Sequence, residues 1–215
     1  GPHLLHQLRH GVVLAQQGHK TLLIDLDLRR PSMHKAVLPS DELCAGLTDV
    51  FTGNAKLDDV IRPTGIDNLF FLSAGNRAPN PAELLASVDV AALVSTLGDK
   101  FERVIFDSAP VNAVSDTLSV APHVHKTVLV VRAGKTPRKA VNRALMLLRK
   151  SGAKVAGFVN AAIIQLFDQA AVGFAGEKEL RQAGHQEGIG HPGNEQGKNG
   201  SPASDDKSSP HDILL

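Results

Sequence analysis

Five short apolar runs constrain this chain more than anything else in it: Thr21 to Asp25, Leu69 to Ser73, Val104 to Asp107, Thr127 to Val131 and Lys154 to Val159. Each has the length of a strand, and most lack the polar alternation of a half-solvated one, so they predict strands buried on both faces. Helix-like stretches lie between them. Pro81 to Leu97 carries Leu84, Leu85, Val88, Leu93 and Leu97 at roughly helical spacing, and Pro137 to Lys150 opens on a proline and stops before Gly152. Strand and helix alternate, which predicts an α/β fold with a doubly wound, mostly parallel sheet. In such folds ligands sit outside the carboxyl ends of the strands.

The pattern holds to about Ile164 and then stops. From Gln165 onward large apolar residues are sparse, and stretches such as GHPGNEQGKNGSPASDDKSSP cannot bury enough surface to offset the entropy of ordering them. Residues 1–164 are therefore expected to form one α/β domain. Residues 165–215 are expected to be a low-complexity tail, disordered from roughly 176. With a net charge of +1 the chain has no basic field for nucleic acid. Cys44 is its only cysteine, so an internal disulfide is excluded, and it reads as a buried structural thiol in a reducing compartment. No apolar run approaches the ~18 residues of a membrane span, and no signal-peptide pattern opens the chain. A soluble, cytoplasmic chain is expected.

Two predicted strands end in aspartate. LLIDLDLRRP supplies Asp25 and Asp27, and VIFDSAPV supplies Asp107. If the strands are neighbours in a parallel sheet, three carboxylates converge at the ligand-binding edge, where a hard cation such as magnesium would relieve their repulsion. The alternative is that each aspartate caps the turn or helix that follows it. Arg29 and Arg30 come directly after the first pair. Arg29 is the candidate for a phosphate or a neighbouring subunit's carboxylate, and Arg30 reads equally as a solvated charge.

These segments resemble the bacterial tyrosine kinases of exopolysaccharide and capsule biosynthesis, P-loop proteins related to the Min and Par ATPases. LLIDLDLRRP is similar to their Walker A-prime motif and VIFDSAP to their Walker B. GLTDVFTG (residues 46–53), LSAGNRAPNPAELL (72–85), SDTLSVA (115–121) and VVRAGKTPRKAVNRAL (130–145) follow in the family's order. The resemblance covers residues 11 to about 163. It implies a P-loop NTPase-like fold and transfer of the ATP gamma-phosphoryl group to protein tyrosine, with ATP and magnesium as cofactors. Asp25, Asp27 and Asp107 would be the catalytic and magnesium-binding residues, an A-prime aspartate activating the attacking hydroxyl. Arg29 and Asn160 would contact the nucleotide. The implied partner is a membrane polysaccharide co-polymerase that regulates chain length, which would hold the chain at the inner face of the plasma membrane. Homo-oligomers, often rings, are also implied, and nucleic acid is not.

The chain departs from the family pattern in two main places. It contains no G-x-x-x-x-G-K-[ST]; counting back from VVLAQQGHKTLLID, the glycine-lysine-serine portion falls at about Pro2 to Leu5, and no lysine precedes Lys20. A fragment beginning inside the loop, a degenerate nucleotide-binding protein and a reading-frame error all fit. The family's P-loop strand lies in the middle of the sheet, so its absence would leave an exposed edge. The chain also has no tyrosine, so it cannot phosphorylate itself on that residue. Loss of kinase activity is expected. Two rivals stand beside the kinase reading: a deviant-Walker ATPase of the Min or Par class, and a non-catalytic module docking onto the co-polymerase.

The remaining candidates read structurally. His3, His6 and His10 could share a helical face, and His123 lies near His125, but none has a cysteine or acidic partner at ligand spacing. Ser108 lacks a Gly-x-Ser-x-Gly setting. Asn80, Pro81 and Glu83 read as a helix start with Asn80 as the cap, and Gly75 and Gly134 as turn glycines after strands.

Overall fold

Leu22 and Ile24 alternate with Leu23 along the first strand, and all three are inaccessible to solvent. A strand with both faces apolar needs a cover on each side. The computed structural model, which describes residues 2–38, 44–160 and 212–214, provides both. Strand β1 (Thr21–Asp25) pairs in parallel with β3 (Leu69–Leu72) on one side and β4 (Arg103–Asp107) on the other. On one face Leu23, Phe71 and Ile105 pack with Leu8 and Ala15 of helix α1 (Pro2–Gln16) and with Met33 and Val37. On the other face Leu22, Ile24, Leu72, Val104 and Phe106 pack with Leu85, Val94, Leu97 and Val120. The expected doubly wound α/β architecture is present.

The remaining elements complete the two layers. Short helices α2 (His34–Val37), α3 (Leu47–Phe51) and α4 (Leu57–Val60) lead to β2 (Ile61–Pro63), which is antiparallel to β3. Helix α7 (Asp116–Val120) and a 3-10 turn (Ala121–His123) follow β4. Then β5 (Thr127–Val131), α8 (Arg138–Ser151) and β6 (Val155–Asn160) form a parallel two-stranded unit. The larger sheet has the order β2-β3-β1-β4-β7, where β7 is Asp212–Leu214.

Several expectations change in detail. Pro81 to Leu97 is two helices, α5 (Pro81–Ser87) and α6 (Val90–Lys100), bent by 77°. The break is local chemistry: Val88 is extended, and the Asp89 carboxylate accepts from Ala92 N at 2.9 Å, capping a new helix. Asn80 takes the N-cap position of α5 without bonding the backbone; its side-chain amide donates to Glu83 Oε2 at 3.0 Å. Pro137 stands as N-cap of α8, one residue before the helix proper, and Gly152 closes that helix at φ 89°. Cys44 is half-exposed, so it is not the buried thiol expected. Asp212–Leu214 is a strand where a disordered tail was expected; residues 161–211 lie outside the described residues, so the rest of that expectation does too. No single described helix is long and apolar enough to cross a membrane.

Candidate functional site

Parallel pairing of β1 with β4 sets Asp25 opposite Asp107, the last pair of the ladder. Both strands leave the sheet there, so two carboxylates meet at the carboxyl edge because of register alone. Asp25 is 1% exposed and Asp107 5%. Asp27 lies two residues further on, on the loop leaving β1, and is half-buried.

The A-prime loop folds around its own aspartates. Asp25 Oδ1 accepts from Asp27 N at 3.2 Å, and Oδ2 accepts from Ser32 N and Met33 N, each at 3.0 Å. Asp27 Oδ1 accepts from Arg29 N at 3.2 Å and Arg30 N at 3.0 Å. The turn-capping alternative is thus realised at both positions, yet it does not exhaust either group. A carboxylate offers about four lone-pair sites. Three are used on Asp25, and no bond reaches Asp27 Oδ2 among the described residues.

Asp107 is the least satisfied of the three. Gln7 Nε2, from α1, donates to its Oδ1 at 3.4 Å. Burial, and next the charge on Asp25, push the Asp107 carboxyl up to about 7, with Asp27 adding in the same direction and the Gln7 bond opposing. Burial also raises Asp25, against the pull of the Met33, Ser32 and Asp27 amides. Near neutral pH this edge therefore holds more negative charge than it can solvate. That donor set fits a hard divalent cation, which takes carboxylate oxygens readily. The fit is electrostatic: among the described residues no three His, Cys, Asp or Glu side chains are gathered as a preformed metal cluster.

Arg29 is engaged elsewhere. Its Nε donates to Asp116 Oδ2 at 2.8 Å and its Nη2 to Asp116 Oδ1 at 3.1 Å, a two-pronged ion pair to a carboxylate that is 1% exposed. The guanidinium binds the chain's own Asp116. Thr117 Oγ1 donates to Ala109 O at 2.7 Å, so the start of α7 grips both aspartate-bearing loops at once. Asp116 and Gln7 are not marked by the sequence: SDTLSVA stands out as a motif, but nothing in it singles out the aspartate as a brace. Asn160, the other candidate nucleotide contact, ends β6 and accepts from Ala133 N through its Oδ1 at 3.1 Å. Arg30 is exposed.

A cavity of about 190 Å³ opens beside Asp107, lined by Gln7, Ser108, Thr127, Leu129 and Leu148 among others. It separates the end of β4 from β5. No glycine-rich phosphate loop adjoins it, since the chain has none. The residues present fit a cation and lack the backbone cradle that holds a triphosphate.

The chain is similar in sequence and fold to known proteins. The chain is 38% identical over 149 residues to the putative tyrosine-protein kinase CapB of Staphylococcus aureus, covering 69% of itself and 64% of that protein. The solved VpsO kinase domain matches with a TM-score of 0.66 at 32% identity, over 72% of this chain and 75% of that one. The chain belongs to the bacterial tyrosine-protein kinase family. It spans just under two thirds of the length of CapB. MinD of Pyrococcus horikoshii, solved with Mg-ADP, shares the fold at a TM-score of 0.56 and 22% identity, over 74% of this chain and 63% of that one. No protein-family model matches.

Proposed function

We propose that this chain carries the acidic half of a tyrosine-kinase site, the half that organises magnesium and receives the acceptor hydroxyl, in exopolysaccharide or capsule biosynthesis. The observation that carries the reading is the pairing of Asp25 with Asp107 at the end of the β1–β4 ladder, with Asp27 beside them. Asp25, Asp27 and Asp107 would hold magnesium, which neutralises charge on the phosphates when bound. Asp27 has an oxygen free of loop bonds, which suits it to accept a proton from an attacking hydroxyl. Asp107, close to half-protonated at neutral pH, would lose its proton as a cation loads. Gln7 orients the Asp107 carboxyl, and the Arg29–Asp116 pair fixes the loop that presents Asp27. Phosphoryl transfer rests mainly on such positioned charge.

The given residues contain no P-loop lysine motif. A second reading is a docking module for a membrane polysaccharide co-polymerase, held at the inner face of the plasma membrane. Calorimetric titration with ATP and magnesium tests the first. Micromolar binding that is lost in an Asp25→Ala, Asp107→Ala double variant supports a working half-site. No heat from a demonstrably folded chain leaves docking as its role. The Min or Par alternative has only fold likeness behind it; nucleotide hydrolysis without transfer to a tyrosine polymer would favour it.

A further inference from the structure

Helix α8 carries more positive charge than its own stability can use. Residues 117–160 hold nine of the chain's 23 Lys and Arg and none of its 22 Asp and Glu. On α8 the side chains of Ala144 and Leu148 are buried in the core, while Arg138, Lys139, Arg143, Arg149 and Lys150 are all exposed. At 3.6 residues per turn these five fall on a single arc of about 140°, with Asn142 and Met146 between them. Met146, near the middle of that arc, is 60% exposed. None of the five cations is paired with a carboxylate among the described residues. Two placements work against the helix. Arg138 and Lys139 stand in the first turn, at the positive end of the helix dipole, with no acidic residue there to offset them. Lys139 and Arg143 are four residues apart, so like charges face each other one turn away. Cations set against the dipole around a solvated methionine give the fold nothing, and such local conflicts are expected where a surface serves a partner.

We propose that the exposed face of α8 is a docking surface for an anionic phospholipid bilayer. Charge complementarity names the partner: the cations meet lipid phosphates while the Met146 side chain enters the boundary between headgroups and acyl chains. A bilayer is broad and flat, so it can touch a convex helix along its exposed arc and nothing else. Lipid headgroups move laterally and gather beneath a local patch, and the attraction acts within a Debye length, so the chain as a whole need not be basic. A long nucleic acid would run past the patch onto the remainder of the chain, which holds all 22 acidic residues. The arc also has no aromatic side chain on which bases could stack. The inference is independent of the kinase reading, since its readouts involve no nucleotide.

Vesicle co-sedimentation of the whole chain tests it. Vesicles of equal parts phosphatidylglycerol and phosphatidylcholine are expected to carry the chain down, and pure phosphatidylcholine vesicles are not. Salt at about 0.5 M is expected to release it. Each cation at an anionic surface strengthens attachment roughly fivefold, so the triple variant Arg138→Gln, Lys139→Gln, Arg143→Gln is expected to partition about a hundredfold more weakly. That variant is expected to melt no lower than the parent, because it removes charges that oppose the dipole. Met146→Ser is expected to weaken attachment to the same vesicles. A control with the same net charge, Lys56→Gln, Arg62→Gln, Arg77→Gln, changes exposed cations elsewhere and is expected to bind as the parent does. Four results would each overturn the proposal: no attachment of the folded chain to anionic vesicles, full attachment of the α8 triple variant, equal losses in the two triple variants, or a DNA duplex or polyglutamate that binds through the same three cations more tightly than the vesicles do.

Discussion

At the scale of single residues, the two facing aspartates do opposite things to the fold. Asp25 satisfies three backbone amides, so Asp25→Ala leaves the Ser32 and Met33 amides without their acceptor and is expected to cost about 1–2 kcal/mol, measured by urea unfolding. Asp107 makes one long hydrogen bond and is buried. Its carboxyl titrates near 7 in the folded chain and near its ordinary value when unfolded, so between those values the unfolded state holds fewer protons. Stability from this group is therefore present below about pH 4 and is lost as pH rises toward 7. Asp107→Asn is expected to flatten that fall and, at pH 8 without divalent cation, to stabilise the chain by an amount on the order of 2 kcal/mol. The converging carboxylates were legible in LLIDLDLRRP and VIFDSAP because strand ends announce themselves by an apolar run that stops. The Arg29–Asp116 pair was not, since 87 residues separate its members and only the tertiary fold brings them together.

Among the elements, the loop after β3 shows how backbone chemistry holds the edge near the site. Gly75 sits at φ 82°, and a Cβ there would lie 2.4 Å from Thr48 Oγ1. Gly75→Ala is expected to destabilise by at least about 2 kcal/mol, read from chemical denaturation, because strain and clash add. Across the sheet, Thr117→Val removes the bond from α7 to Ala109 O and is expected to cost about 1 kcal/mol. Hydrogen exchange is expected to rise in residues 108–115 and not in β1. Strands were readable here from apolar runs, and Gly75 from its place after one. The α5–α6 bend escaped notice because Leu84, Leu85, Val88 and Leu93 keep helical spacing across it, so the periodicity carried through a break that Asp89 makes by capping. β2 escaped as well: Ile61–Pro63 is three residues long, has no fully buried member and ends on a proline.

For the molecule as a whole, the sheet order places the paired aspartates between an intact parallel core and a seam. β3, β1 and β4 form a continuous ladder, while β5 and β6 stand apart across the cavity beside Asp107. Alternation of strand and helix made the doubly wound core legible. Strand order and the seam were not, because adjacency of β4 to a strand near residue 213 is a contact between distant parts of the chain with no local signature. The whole-molecule consequence is that Asp25 and Asp107 face each other at the carboxyl edge of the sheet, beside that seam. No phosphotyrosine can form within these 215 residues, which contain no tyrosine. The decisive measurement is a pH titration of the Asp107 carboxyl carbon by NMR, with and without millimolar magnesium. We expect a midpoint near 7 without the cation and a clear fall when magnesium is added, the sign of coupled carboxylates sharing one ion. A midpoint near 4 that ignores magnesium would mean that Asp25, Asp27 and Asp107 are separate turn and strand-end residues rather than one site.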